Sequence, residues 1–165
     1  MNEDFHYQSS PPTVPEGVPL LDEAAPPRNA HVPEMIIITG MSGAGRSRAG
    51  QALEDLDWYV VDNLPPAMLL PFADMMTPQG EGIHRLAAIV DVRSGDLFSK
   101  FQRALDELSL RNIRYQLVFL DADEGVLVRR YESNRRPHPL QGGGRILDGI
   151  RLERQILAPI RARAD

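Results

Sequence analysis

Eight consecutive residues, Gly40, Met41, Ser42, Gly43, Ala44, Gly45, Arg46 and Ser47, have the types and spacing to hold a phosphate. They match G-x-x-x-x-G-K-[ST] at every fixed position except the lysine, where Arg46 stands. Glycines let successive backbone N–H groups turn toward one anion, and a helix opening at the end of such a loop adds its positive N-terminal dipole. Ser47 is placed to offer its hydroxyl to Mg²⁺. Arg46 keeps a positive charge near the β and γ phosphates, although its planar fork is larger than an ammonium and need not reproduce lysine's contacts. A side chain at Gly45 is expected to crowd the backbone path around the β phosphate. The alternative is an ordinary glycine turn, but here the motif follows an apolar strand and opens a helix.

A Mg-nucleotide also needs a carboxylate near the loop serine, supplied in P-loop proteins by an Asp after an apolar run. Two segments fit, Leu86–Asp91 and Leu117–Asp121. In a kinase-like strand order 2-3-1-4-5 the third strand lies beside the loop strand, which favours Asp91 as the catalytic and metal-holding carboxylate; Asp121 reads equally well as a cap. Asp62 is either a substrate-orienting group or a cap before Pro65.

Residues 126 to 165 carry nine arginines against four acids. Arg129, Arg130, Arg135 and Arg136 flank an irregular stretch ending Pro137-His138-Pro139-Leu140, followed by Gly142-Gly143-Gly144. In P-loop kinases an arginine-bearing lid neutralises the transferring phosphoryl group. Arg135 and Arg136 are assigned that catalytic contact. Arg151, Arg154, Arg161 and Arg163 read as a solvated helix face, and His138 as a loop-packing residue ahead of a base.

The elements that must position these groups alternate in type. Apolar runs at Met35–Thr39, Trp58–Val61, Leu86–Val90 and Leu117–Leu120 read as buried strands. Between them lie helical patterns: Arg46 to Asp57, with Ala49, Ala52, Leu53 and Leu56 on one stripe; Pro65 to about Met76; Leu97, Phe101, Ala104, Leu105 and Leu108 after a cap at Ser94 or Asp96; and Asp123 to Tyr131. Ile146 to about Arg163 is helical again. This alternation predicts parallel pairing through right-handed crossovers, hence a three-layer α/β/α sandwich of P-loop type with order 2-3-1-4-5. The candidate residues then gather at the carboxyl ends of the strands, where open parallel sheets bind ligands.

Composition bounds the rest. The chain has 165 residues and a net charge of −5, and residues 1 to 34, with six acids and one base, account for all of that charge. The remainder is balanced, which leaves a phosphate partner open. Seven of the 14 prolines fall in the first 33 residues, so 1–33 reads as a disordered acidic tail and 34–165 as one domain. No cysteine is present, which excludes a thiolate zinc site and a thiol nucleophile, and the four histidines show no metal-ligand spacing. With no apolar run of membrane-spanning length and no secretory signal, a cytoplasmic protein with no membrane partner is expected.

Together with the glycine-rich loop, Trp58-Tyr-Val-Val-Asp-Asn-Leu-Pro-Pro66, Asp91-Val-Arg-Ser94, Phe119-Leu-Asp-Ala-Asp123 and Arg129-Arg-Tyr-Glu-Ser-Asn-Arg-Arg-Pro-His-Pro-Leu140 resemble the RapZ (YvcJ-like) family of bacterial nucleotide-binding proteins. The resemblance covers Met35 to Asp165. It implies binding and weak hydrolysis of ATP and GTP, with Gly40–Ser47 as the ATP loop and Asp91, Val92, Arg93 and Ser94 as a GTP-associated segment. It also implies a C-terminal domain beyond this chain, to which RNA and ribonuclease partners belong, so RNA binding is not transferred to these residues. Arg46 and the long tail depart from the commoner family pattern. Two other functions compete: a small-molecule P-loop kinase with an arginine lid, and an interaction module with a vestigial loop. A homo-oligomer is compatible with each.

Overall fold

Apolar and β-branched residues make Glu34–Gly40 the first strand, β1, of a sheet that is parallel throughout. In the computed structural model, which describes residues 33–76 and 82–165, there follow α1 (Arg46–Glu54), β2 (Tyr59–Val61) and a 3-10 turn (Pro66–Met68) running into α2 (Leu69–Asp74). Then come β3 (Arg85–Ile89), α3 (Gly95–Leu110), β4 (Gln116–Leu120), α4 (Glu124–Asn134) and α5 (Ile146–Arg163). The strand order is β2-β3-β1-β4. These are the first four places of the expected 2-3-1-4-5 order. No fifth strand occurs among the described residues, so the order is corrected to four strands. The expected disordered tail, save Pro33, lies outside the described residues.

The period of two along each strand assigns the faces. Leu86, Ala88 and Val90 join Ile37, Leu117 and the α3 residues Phe101, Leu105 and Leu108 in one core cluster. Ile89, out of phase with them, turns to the other face and meets α1. Gly50 makes that approach possible: a Cβ there would lie 2.7 Å from Ile89 Cδ1 and 3.4 Å from Val60 Cγ1. With α1 on one face and α2 and α3 on the other, the three-layer α/β/α sandwich is complete.

Three local expectations need revision. Helix α1 ends at Glu54 rather than Asp57, and Asp57 takes φ 61° in the turn that follows. Leu56 therefore falls off the stripe and is exposed, as is Ala52; Gly50, not an apolar side chain, is the buried residue of α1. Asp123 stands at the start of α4, but its side chain makes no cap bond. Ser94 caps α3 as expected, accepting from the Leu97 N–H at 3.3 Å, and Pro66 opens the 3-10 turn, where its missing N–H costs nothing.

Candidate functional site

Strand β1 is interior to the sheet, and the chain leaves its carboxyl end at Gly40. This residue has φ 140°, and any Cβ on it would collide with the backbone of Leu120 at the end of β4. Met41 donates its N–H to the Leu120 carbonyl at 2.9 Å, and Met41 and Ser42 both point inward, buried. Gly43 (φ 82°) and Gly45 (φ 106°) then take left-handed conformations that favour glycine. Ala44 closes the turn, donating to the Met41 carbonyl at 3.0 Å. Gly45 caps α1 with no side-chain bond, and the first N–H groups of a helix, here those of Arg46 and Ser47, have no intrahelical acceptor. The loop thus ends in donors that suit an anion. A Cβ on Gly45 would meet no protein atom within 4 Å. The need for glycine there is conformational, and the protein itself does not crowd that position.

Asp91 follows β3, the strand adjacent to β1, as the strand-order argument required. Its Oδ2 lies 3.6 Å from Arg46 Nη2, while Arg93 donates from Nε to Oδ1 at 2.8 Å and pairs with Oδ2 through Nη2. The glycine-rich loop and the segment Asp91–Ser94 therefore adjoin. Arg93 is the tighter partner of Asp91, and Arg46 the looser. Within that segment Val92 is buried in the core and Ser94 caps α3, which leaves Asp91, itself paired with Arg93, to meet the loop arginine. Asp121 is held differently: Arg154 Nη2 donates to Oδ1 at 2.8 Å, Arg161 lies 3.6 Å from Oδ2, and the Ala122 N–H binds Oδ1 at 2.8 Å. Asp62 is exposed and accepts the Asn63 N–H at 2.7 Å, a local turn bond.

In the arginine-rich segment the structure departs from the sequence reading at α5, where Arg154 is bonded and not simply solvated. Arg135 and Arg136 are exposed and make no ion pair among the described residues, and Arg135 ends α4 with φ 50°. Arg130 is the arginine that reaches the loop, donating from Nη1 to the Gly43 carbonyl at 2.6 Å. Arg154 ties α5 to Asp121 and to the Ala122 carbonyl at 2.8 Å. Arg163 reaches Asp106 at 2.6 Å, and Arg151 reaches Glu124.

Two further side chains at the loop were missed. Tyr131 stacks edge-on against His138 with ring centroids 5.0 Å apart, and its Cε2 would be 3.4 Å from a Cβ on Gly43. Burial pushes its phenol pKa up, against the opposing influence of the Ser42 hydroxyl. Glu153, fully buried on α5, accepts the Ser42 hydroxyl at 2.6 Å. A signal for it was available: Ile150, Glu153, Leu157 and Ile160 occupy one helical stripe, and an acid within an apolar stripe requires a partner.

The profile of the RapZ-like N-terminal domain matches residues 33–165. The chain belongs to that family. A nucleotide-binding protein of Paenarthrobacter aurescens (strain TC1) is 58% identical over 132 residues, covering 80% of this chain and 43% of the relative. One of Kocuria rhizophila is 50% identical over 157 residues, covering 95% of this chain and 50% of the relative. The chain thus spans about half the length of these curated relatives. Among solved structures, shikimate kinase from Acinetobacter baumannii in complex with shikimate gives a TM-score of 0.53 at 14% identity, covering 81% of this chain and 80% of that one. Shikimate kinase from Bacteroides thetaiotaomicron gives 0.51 at 20% identity, covering 80% and 84%. These likenesses establish the P-loop kinase-type fold of the RapZ-like domain. No helix among the described residues is long and apolar enough to cross a membrane.

Proposed function

We propose that this domain binds ATP and GTP in one site at the carboxyl edge of the sheet, hydrolyses them slowly and serves as a regulatory nucleotide-binding module. The observation that carries the reading is the loop itself: Gly43 and Gly45 in left-handed conformations open α1 beside the Arg46–Asp91 pair. Phosphates would take the N–H groups at the head of α1, and Arg46, only loosely held by Asp91, would turn to the β and γ phosphates. Ser47 and Asp91 would hold Mg²⁺. One hydroxyl and one carboxylate suit a cation that keeps most of its waters and binds phosphate oxygens, and the partly exposed Asp91 has its charge already offset by Arg93. Mg²⁺, when bound, neutralises charge on the transferring phosphoryl group. Because the loop and Asp91–Ser94 adjoin, ATP and GTP are expected to compete. Arg135 and Arg136, carried on the exposed segment after α4, are the groups we assign to a closing contact with the phosphates.

The names of the curated relatives support nucleotide binding. Any RNA or ribonuclease partner belongs, on the family resemblance, to the length that this chain does not span. Calorimetric titration with Mg-ATP and Mg-GTP, each repeated in the presence of the other, together with phosphate release, tests the reading. Competitive binding with slow release is the expected result. Absence of binding would leave an interaction module with a vestigial loop.

A further inference from the structure

Behind the phosphate loop, three donors converge on one buried carboxylate. Glu153 receives the Ser42 backbone N–H at 3.2 and 3.1 Å on its two oxygens and the Ser42 hydroxyl at 2.6 Å. His138 Nε2 stands 2.9 Å from its Oε2. The His138 Nδ1 accepts the Leu140 N–H at 3.1 Å. A neutral ring that accepts at Nδ1 carries its proton on Nε2, so His138 is the third donor to Glu153. Every contact uses Glu153 as acceptor, the pattern of a carboxylate.

Core filling does not account for this arrangement. Ile150, Leu157 and Ile160 share the stripe, and an apolar residue at 153 would pack there without a buried charge to compensate. What the carboxylate supplies is direction. It draws the Ser42 N–H inward, and the chain then turns outward through Gly43 to the donors at the head of α1. His138 comes from the stretch joining α4 to α5, which also carries Arg135 and Arg136. Contact with Gly149 fixes the ring further, since a Cβ there would lie 2.6 Å from His138 Nδ1.

We propose that Glu153 and His138 form a positioning pair: Glu153 sets the orientation of the Ser42 peptide in the phosphate loop, and His138 holds Glu153, so the shape of the anion cradle depends on the arginine-bearing segment after α4. This rests on the nucleotide reading for its effect on affinity, but not for its effect on the loop.

The test uses the full chain, first without nucleotide. Glu153→Gln keeps the shape but sets an amide N–H₂ against either Ser42 or His138, donor to donor. Amide hydrogen exchange at Ser42 is expected to speed up at least about tenfold, while Ile37 and Ala88 in the sheet keep parental protection. Mg-ATP affinity should fall at least about tenfold as well. His138→Gln restores a donor at the Nε2 position and should stay near the parent in both readouts; His138→Leu should lose both. The proposal is overturned if Ser42 exchange in Glu153→Gln is parental, if Ile37 and Ala88 lose protection along with it, or if His138→Gln behaves like His138→Leu. A parent that binds no nucleotide would refute the functional reading instead, and the exchange pattern would still decide on the pair.

Discussion

Arg46 and Tyr131 carry the chemistry that single residues can test. Arg46 Nη2 is 3.6 Å from Asp91, beyond hydrogen-bonding reach, whereas Arg93 binds the same carboxylate closely. Removing Arg46 therefore leaves Asp91 paired, and the folded state should lose little. A hydrogen bond from a charged donor contributes about 1.5–3 kcal/mol, so Arg46→Ala is expected to weaken Mg-ATP binding roughly 10- to 100-fold by calorimetry, while Arg46→Lys keeps affinity near the parent or improves it. Equal affinity of parent and alanine variant would mean that Arg46 does not meet the phosphates. Tyr131 tests the burial of the loop's cover. Its phenol is pushed above the ordinary value by burial. As pH rises past about 10, the unfolded chain gives up that proton before the folded one does. The stability contributed by Tyr131 is therefore present below about pH 10 and lost as pH climbs through the folded value. Melting midpoints from pH 8 to 11 should fall less steeply for Tyr131→Phe than for the parent; identical slopes would show that the ring is not shielded.

At the scale of elements, caps and close approaches decide where each group stands. Ser94 ends the Asp91 segment and begins α3, so its hydroxyl sets both the start of the helix and the path that presents Asp91 and Arg93. Ser94→Ala should cost about 1 kcal/mol in denaturant unfolding, with a smaller loss in a glycine variant; no change would mean the 3.3 Å bond is idle. The strands and the glycine loop were legible in the sequence because their signals are local: an apolar run, a glycine spacing, a strand-terminal Asp. Contacts that bridge distant segments were not. Ser42 and Glu153 are 111 positions apart and Gly43 and Arg130 87 apart, and no local pattern pairs them. The Arg130–Gly43 contact was not legible for this reason, since composition marks a basic segment but not which arginine its helix turns toward the loop. The Leu56 stripe failed through the helix end: α1 stops at Glu54, and the following turn carries Leu56 away from the sheet. The place of Asp91 beside the loop was legible because strand adjacency, not side-chain detail, decides it.

For the whole molecule, the loop is a junction. It continues β1 between β3 and β4, opens α1, receives Arg130 from α4 and is held by Glu153 from α5. A ligand seated there needs all of these in place and has no equivalent site in the unfolded chain, so binding must raise global stability by mass action. At about one hundred times Kd the gain is about 2.7 kcal/mol, which for a domain of this size is a rise in melting midpoint on the order of 10 °C. Mg-ATP is expected to produce it, and to produce less when EDTA removes the metal, because on the proposed reading Asp91 and Ser47 would then lose the cation that links them to the phosphates. Asp91→Asn keeps the size of the side chain but not its charge. Its melting midpoint should rise equally with and without Mg²⁺, whereas the parent's rise should depend on the metal. If Asp91 were only a structural partner of Arg93, the variant would melt lower in the absence of nucleotide yet keep the full Mg²⁺ response. That result would move the metal-holding role to Asp121, whose ties to Arg154 and Arg161 would then have to open on binding.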